Sequence, residues 1–446
     1  MPEEPPVTPS ALLSFRARNV RSFRDEFEFS MLATALAEKG VPRSIPWREG
    51  GSEIEVLPLA AIFGANGSGK TNVLRAMNDM RTLVLQSFRH SPTAALAHTA
   101  FRLDPAYAQQ PTRFEIAIVL EGIRHEYGFE FDRRRIVREW AYRYPHGRAA
   151  LLFERDEDSL EFGPVERAKS RAARELLRPN ALFLSTAAQV NHPLLLKLYA
   201  WFDRNLLLAE APSRVARQAY TIEMLEGENR EAVLELVRAA DLGITGAKRY
   251  DVDDDTREKL NRAFRILAGD DEVESIALEP LLDSLMVLEH QGAEGPVEFG
   301  PDEESLGTLV WFGLAGPIVD VLSRGAVFLA DELDASLHPV LVAQLINLFQ
   351  SPETNPNRAQ LIFNTHAVSL LGDTASDRII GRDQIWITEK ENEGATRLQP
   401  LADQNPRKDE AIARRYLAGR YGGTPILSTE RFRRIAEFAT AGDRTD

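Results

Sequence analysis

Cysteine is absent from the 446-residue chain. That excludes disulfides, iron–sulfur clusters and cysteine-ligated zinc, and nothing marks an oxidising compartment. Positive charge is in deficit: 53 Lys and Arg face 67 Asp and Glu, a net charge of −14. The overall field therefore does not draw the chain to nucleic acid or anionic membranes, although a local basic groove is compatible with it. No apolar run is expected to reach the length of a membrane span. The opening ten residues are acidic and proline-rich, unlike the basic-then-apolar start of a signal peptide. Internal repeats and sustained heptads are lacking. What remains is an ordinary soluble composition, 44% hydrophobic and 27% charged, at a length suited to two or three lobes. A cytoplasmic protein is the expectation.

The most informative stretch is Gly64-Ala65-Asn66-Gly67-Ser68-Gly69-Lys70-Thr71. It fits G-x-x-x-x-G-K-[ST] and lies between an apolar run, Val56 to Phe63, and a segment with helical periodicity from Asn72. Glycines let successive backbone N–H groups point at phosphates, and the helix dipole adds to the attraction. Lys70 is placed to reach the β- and γ-phosphates, and the Thr71 hydroxyl to ligate Mg2+. ATP and Mg2+ are the expected ligands, with Gly64, Asn66, Gly67, Ser68, Gly69, Lys70 and Thr71 in the binding loop.

Three further stretches carry chemistry. Val327-Phe328-Leu329-Ala330-Asp331-Glu332 is an apolar strand ending in two acids, the Walker B pattern. Asp331 is expected to hold Mg2+ and Glu332 to act as general base toward water. His366 stands just beyond the apolar strand Leu361 to Asn364, in reach of a γ-phosphate. Glu303-Glu304-Ser305-Leu306-Gly307-Thr308 precedes an apolar helix. The Ser305 hydroxyl and the Gly307 N–H at that helix start form a second phosphate-binding surface. One protomer already has a P-loop, so this surface is best used on the ATP of a second copy, in a head-to-tail dimer.

Along the chain, residues 1–10 read as a disordered lead. Residues 11–195 form a first ATPase lobe with two N-terminal strands, the P-loop helix to about Ser87 and an antiparallel meander from Arg113 to Phe162. The Arg133-Arg134-Arg135 run falls at a turn and reads as a solvated face. Ala181 to Ser185 reads as a short buried strand followed by Gln189. Residues 196–285 read as a helical insertion; Asp251, Asp253, Asp254 and Asp255 within it read as a helix start rather than a metal cluster. Residues 286–395 form the second lobe, and 396–446 a basic helical segment. The fold class is α/β: a P-loop NTPase head with an antiparallel meander and a helical insertion.

The order P-loop, Gln189, Ser-x-Gly, Asp-Glu, His resembles an ABC-type ATPase head of the SMC-like branch. Arg16 to Phe23 resembles that branch's N-terminal strand, where a basic residue approaches the nucleotide, and Leu333 to Pro339 resembles its D-loop at the dimer interface. By this resemblance Gln189 is a γ-phosphate and Mg2+ sensor. Glu304 to Thr308, Asp331 to Pro339, and the tail stretches Asn405 to Glu410 and Leu417 to Gly422 are similar to the RloA/AbiL-type AAA ATPases of bacterial phage-defence and restriction loci. That resemblance implies a nucleotide-driven switch, dimeric or of higher order, controlling a separate neighbour-encoded effector such as a Toprim-like nuclease. The alternative is an SMC-like ATPase acting on DNA directly. The signature reads Ser305-Leu306-Gly307 where the family has Ser-Gly-Gly; a Cys-x-x-Cys hook and a long coiled coil are missing. The segment after His366 carries no Toprim-like carboxylate pattern, which the related OLD-type nucleases have.

Overall fold

Pro58 divides the apolar run that leads into the P-loop. It has no N–H to give a ladder. In the computed structural model, which describes residues 10–240, 242–249, 286–374, 376–425 and 428–434, the strand Glu53–Val56 therefore ends before it and the P-loop strand Leu59–Gly64 starts after it. The P-loop strand is part of a six-stranded sheet. Its order is Leu206–Ala209, Val327–Ala330, Gln360–Asn364, Leu59–Gly64, Ile385–Lys390, Thr396–Pro400. The first five strands are parallel and the sixth closes a hairpin on the fifth.

Both faces of this sheet are covered, which is why its strands read as continuous apolar runs. Alternate side chains enter different cores. Ala60, Ile62, Val327, Leu329 and Ile362 pack on the side of the P-loop helix Lys70–Gln86. Leu59, Ala61, Phe63, Phe328, Leu361 and Phe363 pack toward the helices Leu306–Arg324 and Pro339–Gln350.

The first core is closed by a seven-stranded antiparallel sheet. The expected meander supplies Thr112–Leu120, Ile123–Phe131, Ile136–Arg143, Ala150–Asp156 and Ser159–Phe162, and the N-terminal strands Ala11–Arg18 and Phe27–Ser30 extend it. Phe15, Phe29, Phe114, Phe129, Phe131 and Phe153 fill its inner face.

Several elements differ from the sequence reading. The run expected as a strand at 181–185 enters the helix Phe183–Gln189 from its third residue on. Its side chains from Phe183 to Ala188 are all buried, and a run apolar on every side carries no period to separate strand from helix. The buried Glu139 carboxylate decides it by accepting the N–H groups of Phe183 and Leu184. Leu206–Ala209 and Ile244–Arg249 are strands inside the span expected to be helical, and the first belongs to the main sheet. Thr396–Pro400 is a strand in the segment expected to be helical, and the described residues beyond it include the short helix Ile412–Leu417. The expectation of no span-length apolar segment also changes. Leu306–Arg324 is long and apolar enough, with mean hydropathy 1.6, but two thirds of it is buried in protein. The acidic cluster at 251–255 and residues 1–9 lie outside the described residues.

Candidate functional site

The parallel strands bring their C-terminal ends together, and the chemistry-bearing residues of the sequence leave from those ends. The P-loop follows its strand with Gly64, Gly67 and Gly69 at φ of 156°, 75° and 105°, conformations that side chains rarely adopt. A Cβ on Gly64 would lie 2.3 Å from Thr388 Oγ1, and one on Gly69 2.3 Å from Thr396 Oγ1. The loop is therefore a backbone cradle braced from the neighbouring hairpin. Ser68 Oγ is 2.7 Å from Thr388 Oγ1, and the Thr396 hydroxyl donates to Ser68 O at 2.8 Å. Asn66 and Gly67 are exposed at the tip.

Lys70 is buried and donates to Gly64 O at 2.8 Å and Ala65 O at 3.2 Å. Burial lowers its pKa, while Glu332, Asp334 and Asp331 act in the opposite direction. A buried ammonium whose hydrogen bonds, among the described residues, go to carbonyl oxygens favours an anion as its further partner.

Thr71 donates to Asp331 Oδ1 at 2.8 Å. Asn364, fully buried at the end of its strand, joins three pieces of the site. Its amide nitrogen donates to Asp331 Oδ1 and lies 3.4 Å from Thr71 Oγ1, and its oxygen accepts the Glu332 N–H. Glu332 has φ 52°, a left-handed conformation that costs about 1–3 kcal/mol in a residue with a side chain. The Asn364 bond holds it there, with the side chain exposed. The cradle, the ammonium and the Thr71–Asp331 pair fit a magnesium triphosphate. Thr71 and Asp331 would hold the ion, and the loop backbone with Lys70 the phosphates. Among the described residues no group of three His, Asp or Glu side chains forms a metal site of its own.

His366 is exposed two residues beyond Asn364, and its N–H donates to the Asp334 carboxylate at 3.3 Å. The D-loop residue thus sets the start of the histidine loop. Ser305 caps the signature helix by accepting the Thr308 N–H at 3.1 Å. Gly307 packs on the D-loop so closely that a Cβ would lie 2.6 Å from Ser336 O. Ser305, Gly307, Thr308, Ser336, Leu337 and His338 share a groove of about 530 Å³. Among the described residues no hydrogen bond joins Ser305 or Gly307 to the P-loop.

Gln189 is not brought to the site. It ends the helix Phe183–Gln189, where Ser185 Oγ accepts the N–H of Phe88 beyond the C-terminal end of the P-loop helix. The P-loop helix is 17 residues long, so that end is about 25 Å from Lys70. The N-terminal stretch also differs from expectation. Arg16 is paired with Glu28 and Glu115, and Arg21 with Asp79 of the P-loop helix. Ser22 reaches the loop instead, accepting from Asn72 Nδ2 at 2.8 Å and lying 2.8 Å from Thr396 Oγ1. The tail stretch 412–423 also touches the loop. Tyr416 packs edge-on to Phe63, its hydroxyl donates to Gly423 O, and a Cβ on Gly423 would lie 3.4 Å from Gly64 Cα.

The sequence reading gave no role to Asn364, Thr388 or Thr396, and named Asp334 only as part of the D-loop. Asn364 carried one signal, an amide ending an otherwise apolar strand. The two threonines carried none, because their role comes from strand pairing.

Residues 59–372 match the family model described as "AAA domain, putative AbiEii toxin, Type IV TA system". Comparison with curated proteins finds no match. Similar solved structures include the SMC head domain from Thermotoga maritima, at 12% identity over 87% of this chain and 98% of that one, TM-score 0.37. A second is the Smc head bound to the C-winged helix domain of ScpA, at 14% identity over 88% and 99%, TM-score 0.42. A third is the Smc head with an extended coiled coil bound to the C-terminal domain of ScpA derived from Pyrococcus furiosus, at 16% identity over 89% and 98%, TM-score 0.36.

Proposed function

The chain belongs to this AAA-domain family, and we propose that it is an ABC-type, SMC-like P-loop ATPase head that hydrolyses ATP and works as a nucleotide-driven switch. The observation that carries the proposal is the junction at Asn364, which holds Thr71, Asp331 and the Glu332 backbone in one hydrogen-bonded group. Lys70 and the P-loop N–H groups bind the phosphates. Bound there, Mg2+ supplies charge neutralisation for phosphoryl transfer. Glu332 takes the proton from the attacking water, and His366 contacts the γ-phosphate.

Ser305 and Gly307 open onto the D-loop groove with Leu306 and Val340 exposed beside it, 51% and 61%. This face suits a second copy of the chain bringing its own P-loop with ATP, so that two heads close over two nucleotides. Closure then holds or releases a separate effector, a neighbour-encoded toxin or Toprim-like nuclease in anti-phage defence. The toxin in the family's description and the tail stretches that resemble RloA/AbiL-type ATPases support that part. The test is mass measurement of Glu332→Gln with Mg-ATP, expected to give a stable dimer, together with co-purification of the neighbour-encoded protein.

A second reading, action on DNA directly, is favoured by the exposed Arg407, Arg414 and Arg420, which line one pocket of about 520 Å³. DNA binding that falls steeply with salt, with stimulation of ATPase activity, separates it from the first reading.

A further inference from the structure

The tail stretch 412–423 is tied down at several points, although only its first part, Ile412–Leu417, is helical. The Ala413 N–H donates to Gly372 O at 3.2 Å, where the short helical turn Val368–Leu371 beyond His366 ends. The Tyr421 hydroxyl donates to Glu410, and the Gln399 and Gln404 amides donate to Tyr421 O at 3.4 Å. Gly422 and Gly423 follow at φ of 75° and 71°, where side chains would be strained. Both lie against the strand Ile385–Lys390. A Cβ on Gly422 would stand 2.9 Å from the Glu389 carboxylate, and one on Gly423 2.6 Å from Ile387 Cγ2 and 3.2 Å from Thr388 O.

Tyr416 joins this stretch to the nucleotide pocket. Its side chain is buried, its ring lies edge-on to Phe63 with centroids 5.9 Å apart, and its hydroxyl donates to Gly423 O at 3.1 Å. Burial raises the pKa of this hydroxyl, against the Gly64 backbone, which lowers it; the group therefore stays a donor at neutral pH. Phenylalanine would fill the same space without needing a partner. What the hydroxyl adds is a hold on Gly423. Gly423 in turn backs the first residue of the P-loop, since a Cβ on it would lie 3.4 Å from Gly64 Cα. Gly64 O is the acceptor that holds the Lys70 ammonium at 2.8 Å. A line of contacts runs from Tyr416 through Gly423 and Gly64 to Lys70.

We propose that Tyr416 is a positioning residue for nucleotide binding and that the tail stretch is a wall behind the P-loop. The hydroxyl pins Gly423, Gly423 fixes where Gly64 stands, and Gly64 sets the point from which Lys70 reaches the phosphates. The loop is shaped before ATP arrives, so less ordering remains to be done on binding. Asp331, Glu332 and Asn364 lie outside this line, so the hydroxyl acts on binding and leaves the chemical step alone. The inference rests on the reading that the P-loop binds ATP.

Mg-ATP affinity and steady-state hydrolysis of the full chain test it. Tyr416→Phe keeps the ring on Phe63 and removes the hydroxyl. Its Kd and KM for Mg-ATP are expected to rise about fivefold, the effect of losing one ordinary hydrogen bond, with kcat within about twofold of wild type. Ile412→Val is the control. Ile412 is buried in the same short helix and has no part in the line to Gly64, so this variant is expected to lower Tm and leave Kd unchanged. Wild-type affinity in Tyr416→Phe overturns the inference. An equal loss of affinity in Ile412→Val also overturns it, because the effect is then one of stability, and so does a fall in kcat with KM unchanged. If the wild type binds without hydrolysing, Kd alone decides. A wild type that does not bind Mg-ATP removes the nucleotide reading and the inference with it, whereas a wild type that binds beside a Tyr416→Phe that binds equally removes the inference alone.

Discussion

Thr71 and Asp331 are 260 positions apart in sequence, yet the Thr71 hydroxyl donates to Asp331 Oδ1 at 2.8 Å. The P-loop strand and the Walker B strand are not neighbours in the sheet. Gln360–Asn364 lies between them, and its last residue bridges the pair.

The bridge makes a prediction. Asn364→Leu removes the donor to Asp331 and the acceptor for the Glu332 N–H, leaving buried polar groups unmet. Denaturant unfolding is expected to show a loss of about 1–3 kcal/mol. Hydrolysis is expected to fall further than ATP affinity, because Asp331 and Glu332 lose their shared anchor while Lys70 and the loop are untouched. Equal losses in binding and turnover would assign Asn364 to the fold alone.

Lys70 is where binding is decided. In wild type, ATP at about a hundred times its Kd should stabilise the protein by about 2.7 kcal/mol, seen as a rise in Tm. Lys70→Met fills the same buried space without the charge. Its folded state should persist and its Tm should no longer respond to ATP. A normal nucleotide-induced shift in that variant contradicts the role given to the amine.

Gly307→Ala tests the signature and D-loop face. The added Cβ must displace Ser336 O from 2.6 Å, and both belong to the groove proposed to receive the second head. The variant is expected to bind ATP as wild type does and to lose ATP-dependent association, measured by light scattering. Retained association would separate this groove from the dimer interface.

Asp383 predicts a pH dependence. It is buried, and burial raises its pKa to about 6 from 3.8. Between those values the folded state holds a proton that the unfolded chain has released, so stability falls as pH rises from about 4 to about 6 and is level above. The effect is at most about 3 kcal/mol. Asp383→Asn should flatten that part of the urea-unfolding profile and stabilise the protein at pH 7. A variant less stable than wild type at pH 7 would show that the charged carboxylate contributes more than it costs.

Contiguous chemistry was legible in the sequence. The P-loop, the Asp-Glu pair after an apolar strand and the Ser-x-Gly helix start are each set within a few residues, and the alternating strands around Phe114 and Phe129 announced the antiparallel sheet. What the sequence hid depends on pairing across long separations. Leu206–Ala209 is four apolar residues between helices, too short to carry a period, so the edge of the main sheet passed unseen. Gln189 drew attention as a polar residue after an apolar run, but that run is a helix fastened by Glu139, a residue 44 positions or more away. Thr388 and Thr396 became part of the P-loop only once their hairpin was placed against it.

The central claim is that two heads close over ATP and that Glu332 ends the closed state by activating water. Glu332→Gln keeps the shape and removes the base. Light scattering of this variant with Mg-ATP is predicted to give twice the monomer mass, with no phosphate released and return to monomer when ATP is removed. A monomer under those conditions, or phosphate release at the wild-type rate, contradicts the account.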